Sequence, residues 1–444
     1  MRKYYQIISW GCLVVMLLGC KDDPLIHRNV ARPNIILIIA DDLGYDDLRI
    51  YNPSGLETPQ LELLAREGIA LKNAYVTAPV CSPSRAGLLA GMYQQRFGYY
   101  HNFSQDVPKG IQGIPVKEKL ISEFLKECGY INGLIGKWHV GSTVDFHPLN
   151  QGFDYFYGTL DGPLNYLPQG SPDLIETSWK PVTRDNLEEN FIPVKDFNYL
   201  TDEFTNRAID FIDEHKEDNF FLMVSYTTPH DPWQTVAKYY NQIEISDEPK
   251  RVRRIYLSMI KALDNGVGMI NSKIKELGLE DNTMIIFLSD NGCKGTGPNI
   301  CNPQQTFRGY KGTVNEGGIR IPFIIKDNSR TSVELEGIAH KNISSLDIYA
   351  TLSEHFGLKP SRLDGQPFFE DEPRNLFWKY YSTAAVLAGS HKLMRIGRDF
   401  ELYDLDKDPR ESYNIINQNA HLTDSLKLIL NKWEQPLPSP KWPL

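Results

Sequence analysis

Apolar residues along the chain follow two patterns. The first is a predominantly apolar run of five to seven residues, at 35–40, 131–135, 220–226, 284–288 and 319–325. Four of these runs stop abruptly in polar or glycine residues. They lead into Asp41-Asp42, Gly136-Lys137-Trp138-His139, Thr227-Thr228-Pro229-His230 and Ser289-Asp290-Asn291-Gly292. The fifth run is instead preceded by Lys311 and Gly317-Gly318. Runs without alternation suit strands buried on both faces, as in parallel sheets. The second pattern has helical period. Thr58-Pro59 opens a segment with Leu61, Leu64 and Ala65 on one face and Gly68 as its stop, which predicts a helix from 59. Further helices are expected near 84–93, 116–128, 201–216, 250–277 and 344–356.

Strands alternating with helices predict an α/β fold with a large, mostly parallel central sheet sandwiched by helices. In such sheets ligands bind beyond the carboxyl ends of the strands. The polar stops therefore predict a site assembled from several strand ends. From 375 onward the texture changes. Short strands at 375–381, 384–388, 392–396 and 401–403 have hairpin spacing and precede a helix near 421–433, so a small antiparallel sheet with one helix is expected. The expected divisions are a signal at 1–20, a tether at 21–32, a catalytic domain at 33–374 and a C-terminal α+β subdomain at 375–444.

The N-terminus reads differently. Arg2 and Lys3 precede an apolar stretch, 7–18, that ends in Leu17-Leu18-Gly19-Cys20. A basic start with a short apolar segment is the pattern of an export signal, and the stretch is too short to span a bilayer comfortably. Its ending resembles the bacterial lipobox, which implies lipidation of Cys20 and a membrane anchor. Lys21-Asp22-Asp23 resembles signals for the outer cell surface. The expected location is the bacterial outer membrane, facing the periplasm or the outside. Loss of 1–20 removes Arg2 and Lys3 and takes the net charge from −9 to −11. With no basic block, nucleic-acid binding is not expected, and an anionic substrate must be met by a local cluster of cations. Of six cysteines, Cys12 and Cys20 lie in the signal. Cys293 and Cys301 could close a small loop. Cys128 is expected to be buried as a small apolar residue.

Asp41, Asp42, Asp290 and Asn291 offer hard oxygens with no imidazole or thiolate, which favours Ca²⁺ or Mg²⁺ over zinc. Cys81 stands just before an expected helix N-terminus with Arg85 beside it, a setting that by itself suggests an activated thiolate. The stretch C-S-P-S-R-A-G-L-L-A-G, however, closely resembles the sulfatase signature C-x-P-S-R and its small, Leu-rich continuation. It departs from it at Gly87 and Ala90, where Ala and Thr are common. Other motifs follow in the same order: P-N-I-I-L-I-I-A-D-D-L-G-Y-D-D, G-K-W-H-V-G, T-P-H-D-P, S-D-N-G, K-G-T-V-N-E-G-G-I-R-I-P and E-L-Y-D-L-D-K-D-P-R-E. The resemblance runs from about 30 to 416.

This resemblance implies an alkaline phosphatase-like fold and a sulfuric ester hydrolase acting on a sulfated saccharide, such as a glycosaminoglycan or other sulfated polysaccharide fragment. It implies that a maturation enzyme converts Cys81 to formylglycine, whose hydrate is the nucleophile. It also implies one divalent cation, Ca²⁺ before Mg²⁺, held by Asp41, Asp42, residue 81, Asp290 and Asn291. Arg85 would stabilise the hydrate, Lys137 and Lys311 would neutralise sulfate oxygens, His230 would protonate the leaving alcohol, and His139 would take a proton from the second hydroxyl. One family hydroxyl near the sulfate has no secure counterpart. Two other readings compete: a phosphate ester hydrolase of the same superfamily, and a catalytically inactive lipoprotein that binds sulfated glycan. His101, His391 and Trp233 could line a cleft, although ordinary packing suits each better.

Overall fold

The computed structural model describes residues 32–442 apart from 105, 169, 178–185, 245–250, 296–299, 359 and 361. The expected export signal, Cys20 and nearly all of the expected tether lie outside the described residues. The body is a nine-stranded sheet. Five central strands, Thr283–Ser289, Asn34–Ala40, Phe220–Ser225, Ile131–Lys137 and Tyr155–Thr159, are parallel neighbours in that spatial order. The apolar runs are continuous because both sheet faces are buried. Ile35, Leu37 and Ile39 face one core, while Ile36, Ile38 and Ala40 face the other. The helices Cys81–Ala90, Ile121–Glu127 and Asp347–His355 supply the first core, and Pro59–Glu67, Leu200–Glu214 and Arg251–Glu276 the second.

The fifth apolar run departs from expectation. Residues Glu316–Ile319 form a helical turn, the strand is Phe323–Asp327, and it runs antiparallel to Thr283–Ser289. The cause is connectivity, because the preceding loop lies at the carboxyl end of the sheet and the chain must run back from there. Tyr155–Thr159, by contrast, joins the sheet although glycine and polar residues interrupt its pattern. Cys128 is partly exposed rather than buried. Cys293 and Cys301 form a disulfide, with their Cα atoms 5.8 Å apart.

The C-terminal segment is a four-stranded antiparallel sheet, Asn375–Tyr380, Thr383–Ala388, His391–Ile396 and Asp399–Asp404, followed by the helix Ala420–Glu434. Strand alternation splits its faces. Trp378, Ala385, Leu387, Met394 and Tyr403 join the core of the main body, while Ala384, Val386, Leu393 and Leu402 pack on Leu426, Leu430 and Trp433.

Candidate active site at the strand ends

The carboxyl ends of the five parallel strands converge. Backbone bonds lock them in register: Asp41 N–H donates to Thr228 O at 3.0 Å, and Asp290 N–H donates to Ala40 O at 3.0 Å. Gly136 must be glycine. Its φ is +108°, and a Cβ there would lie 1.9 Å from Ser225 O, so only the bare backbone admits the neighbouring strand. Lys137 closes the same strand, and its side chain reaches past Phe220–Ser225 to Asp41, Nζ to Oδ2 2.6 Å.

The cysteine is placed by its helix. Cys81 is the first residue of Cys81–Ala90, three residues earlier than the pattern predicts, and Gly91 at φ +62° ends the helix. Arg85 lies one turn on, hence on the same face. Its side chain is wholly buried and is fixed by Asp290 Oδ2, 2.9 Å from Nε and 2.8 Å from Nη2, by Lys137 O at 3.0 Å from Nη1, and by Ser225 Oγ. Gly87, one of the departures from the signature, faces Thr77, whose Oγ1 would sit 2.4 Å from an added Cβ.

The charges balance in pairs. Lys137 meets Asp41, Arg85 meets Asp290, and Lys311 meets Asp42 with Nζ 2.6 Å from Oδ1. Burial opposes the Asp41 carboxylate, but Lys137, His230, Arg85 and Lys311 outweigh it and hold its pKa well below the usual range. Burial and then Asp41 push Asp290 up to about 7. Burial raises the Cys81 thiol despite Lys137 and Lys311. The thiol is therefore no activated thiolate, contrary to what its place beside a helix N-terminus suggests. Burial, Lys137 and Arg85 hold His139 far below the usual imidazole value, so it is neutral.

Two carboxyl-end residues carry backbone strain. Asp42 has φ +65° and His139 φ +62°, each costing about 1–3 kcal/mol. His230 is oriented by its Nδ1, 2.5 Å from Asp231 O. A carbonyl only accepts, so Nδ1 carries a hydrogen, and Nε2 is left to face Asp42 Oδ2 at 3.6 Å. Asp231 is in turn held by Lys294, 2.6 Å from its Oδ1.

The donor set fits a hard cation. Ligand atoms of Asp41, Asp42, Cys81 and His230 lie within 4.8 Å of one another. Asn291 Nδ2 donates to Asp42 Oδ1 at 2.7 Å, which turns its own oxygen away. Asn291 Oδ1 and Asp41 Oδ1 are buried and meet no donor among the described residues. Buried oxygens without donors are costly, and a cation would satisfy both. Asp290 borders the same cluster, with Oδ2 on Arg85 and Oδ1 accepting Asp42 N–H at 3.2 Å.

Above this floor lies a cleft of about 620 Å³, walled by Cys81, Lys137, His139, His230 and Lys311 with Asn102, Phe103, Gln112, Thr159 and Asn186 among others. Those last five escape sequence reading, because each sits in a loop or strand end whose local pattern signals nothing. Ser104, Ser142 and Thr159 place hydroxyl-bearing residues along the cleft, and none of them is singled out as the counterpart of the unassigned family hydroxyl. His101 packs against Tyr381, His391 lies in the C-terminal sheet, and Trp233 is buried with Lys294 over its ring.

Known proteins resemble this chain in sequence and in fold. The chain is 33% identical over 349 residues to N-acetylgalactosamine-6-sulfatase of Canis lupus familiaris, covering 74% of this chain and 63% of that protein. Arylsulfatase G of Rattus norvegicus is 28% identical over 398 residues, covering 80% and 73%. Among solved structures, Ps i-CgsB in complex with k-i-k-neocarrahexaose superposes with a TM-score of 0.81 at 30% identity, covering 93% of this chain and 94% of that one. The chain thus spans about two thirds or less of the N-acetylgalactosamine-6-sulfatases it matches. The Sulfatase family model matches residues 33–358, which contain the cysteine helix, the acidic strand ends, Lys137 and Lys311. On that match and this geometry, the chain belongs to the sulfatase family.

Proposed function

We propose that this protein hydrolyses sulfate monoesters of a sulfated carbohydrate, with residue 81 acting as formylglycine. The observation that carries this reading is the placement of Cys81 on the cleft floor, between Lys137 and Lys311 and against the oxygen cluster of Asp41 and Asp42. A buried thiol with a raised pKa is a poor nucleophile. Oxidised to the aldehyde and hydrated, residue 81 would supply one hydroxyl for attack at sulfur and a second for release of sulfate. A divalent cation held by Asp41, Asp42, Asp290, Asn291 and residue 81 would add positive charge beside the sulfate. Ca²⁺ is the proposed ion, because a cage of protein oxygens suits it better than Mg²⁺, which keeps its waters.

The chain's own groups divide the remaining work. Lys137 and Lys311 each neutralise an aspartate and line the cleft, where they would share their charge with sulfate oxygens. His230, with Nδ1 tied to a carbonyl, presents Nε2 as the proton donor to the leaving oxygen. His139, neutral through burial, accepts a proton from residue 81. A sugar substrate is supported by the side chains of Asn102 and Asn186 beside Phe103 on the cleft wall, and by the names and bound oligosaccharide of the relatives. Purified protein co-expressed with a formylglycine-generating enzyme should cleave sulfate esters and leave phosphate esters largely intact. Preference for phosphate would overturn the reading.

Asp290→Ala should bind its cation more than about 10²-fold more weakly, since loss of an outer partner alone costs up to that much. Elemental analysis of the purified variant checks this, and stoichiometric zinc in the wild type would favour a phosphatase. We also propose that Cys20 is lipidated and anchors the chain to the outer membrane. Cys20→Ala should then move from the membrane to the soluble fraction, and equal retention of both forms would refute the anchor.

A further inference from the structure

Lys392 is out of place by composition. It sits in the strand His391–Ile396, on the sheet face that Met394 turns to the main core, and its side chain is completely buried. An ammonium so placed costs several kcal/mol unless it is paired. It is paired twice, 2.8 Å from Glu316 Oε1 and 2.9 Å from Glu411 Oε1, and both of those side chains are also completely buried. Arg320 adds a second cation, 3.4 Å from Glu316 Oε2.

The two glutamates belong to the segments that frame Lys311. Glu411 Oε2 accepts Glu316 N–H and Asn315 Nδ2–H, each at 3.0 Å, and so ties down the first turn after the Lys311 loop. Glu411 O accepts from Arg308 Nη1 at 3.0 Å, at the loop's other end, where Gly317 N–H closes on Arg308 O at 2.7 Å. The tip rests on the site side through Lys311 N–H to Cys293 O, 2.9 Å, and Gly312 N–H to Pro79 O, 2.7 Å. Gly309 and Gly312 within the loop adopt φ of +84° and +90°, conformations open to glycine that lend the loop little stiffness of its own.

We infer that Lys392 and Glu411 are positioning residues for Lys311, through which the C-terminal sheet holds one wall of the sulfate site in place. This rests on the reading that Lys311 acts on the sulfate. Displacing such a group by about 1 Å can cost about 10²-fold in rate.

Glu411→Gln and Lys392→Met, each as matured full-length protein, test the inference in two ways. Amide hydrogen exchange across 308–317 should rise at least about tenfold, while 284–291 in the central sheet stays protected. This readout needs no turnover, so it stands apart from whether the protein is a sulfatase. With nitrophenyl sulfate, kcat should fall by about 10- to 100-fold with KM within about threefold. In a Lys311→Ala background the same substitutions should cost nothing further, because residues that act through Lys311 couple to it. Unchanged exchange in the loop, exchange raised equally everywhere, or losses that multiply with Lys311→Ala would each overturn the inference. If a single variant does not fold, Lys392→Met/Glu411→Gln, which leaves no unpaired ammonium behind, carries the same test.

Discussion

Cys81→Ala is expected to lower turnover of every sulfate ester by at least about 10⁴-fold, the scale seen when a nucleophile is removed. The loss should be chemical and not structural. Cys81 is small, stands at the first position of its helix, and has its neighbours fixed by other bonds, among them Ser82 N–H to Asn102 Oδ1 at 3.2 Å. Removing one sulfur atom leaves a void smaller than those of the larger core truncations, so a stability change near or below about 1 kcal/mol is expected. Peptide mass analysis of the active wild type should show residue 81 without its thiol and with an aldehyde. A folded Cys81→Ala variant with full turnover would remove residue 81 from the mechanism.

The second large effect depends on the leaving group. A sugar alkoxide leaves poorly without a proton, whereas nitrophenolate leaves readily. A positioned acid is worth about 10²–10⁴-fold where the proton is needed. His230→Ala should therefore cripple hydrolysis of a sulfated sugar by that factor and affect nitrophenyl sulfate far less. The structure supports the assignment to Nε2, because Nδ1 is engaged by Asp231 O. Lys311→Ala removes charge stabilisation from the sulfate itself and should lower both rates by similar factors. Equal losses for His230→Ala on both substrates would make it a sulfate-binding residue and leave the acid to be found elsewhere.

Local pattern made much of this molecule legible. Burial on both faces favours apolar residues throughout a central strand, so most of the parallel strands announce themselves as apolar runs. Tyr155–Thr159 fails that rule. Gly158 there must lack a Cβ, which would otherwise meet Gly136 O at 1.8 Å, and that demand comes from a neighbouring strand. The antiparallel direction of Phe323–Asp327 is equally invisible, because direction depends on which end of the sheet the chain last left. The four-stranded C-terminal sheet is readable from its hairpin spacing, but the buried lysine within it is not.

The sequence by itself determined the chemical inventory: a cysteine in C-S-P-S-R, acidic strand ends, and two lysines and two histidines in ordered motifs. These are properties of residue type and spacing. Tertiary structure decided how the inventory is connected. It paired Arg85 with Asp290, set Lys137 against Asp41 across an intervening strand, buried the Cys81 thiol so that its pKa rises, and braced the Lys311 loop through Glu411 and Lys392. Each of these depends on desolvation and on distances between groups far apart in the chain. Electrostatic energy follows separation and burial, and neither can be read from sequence order.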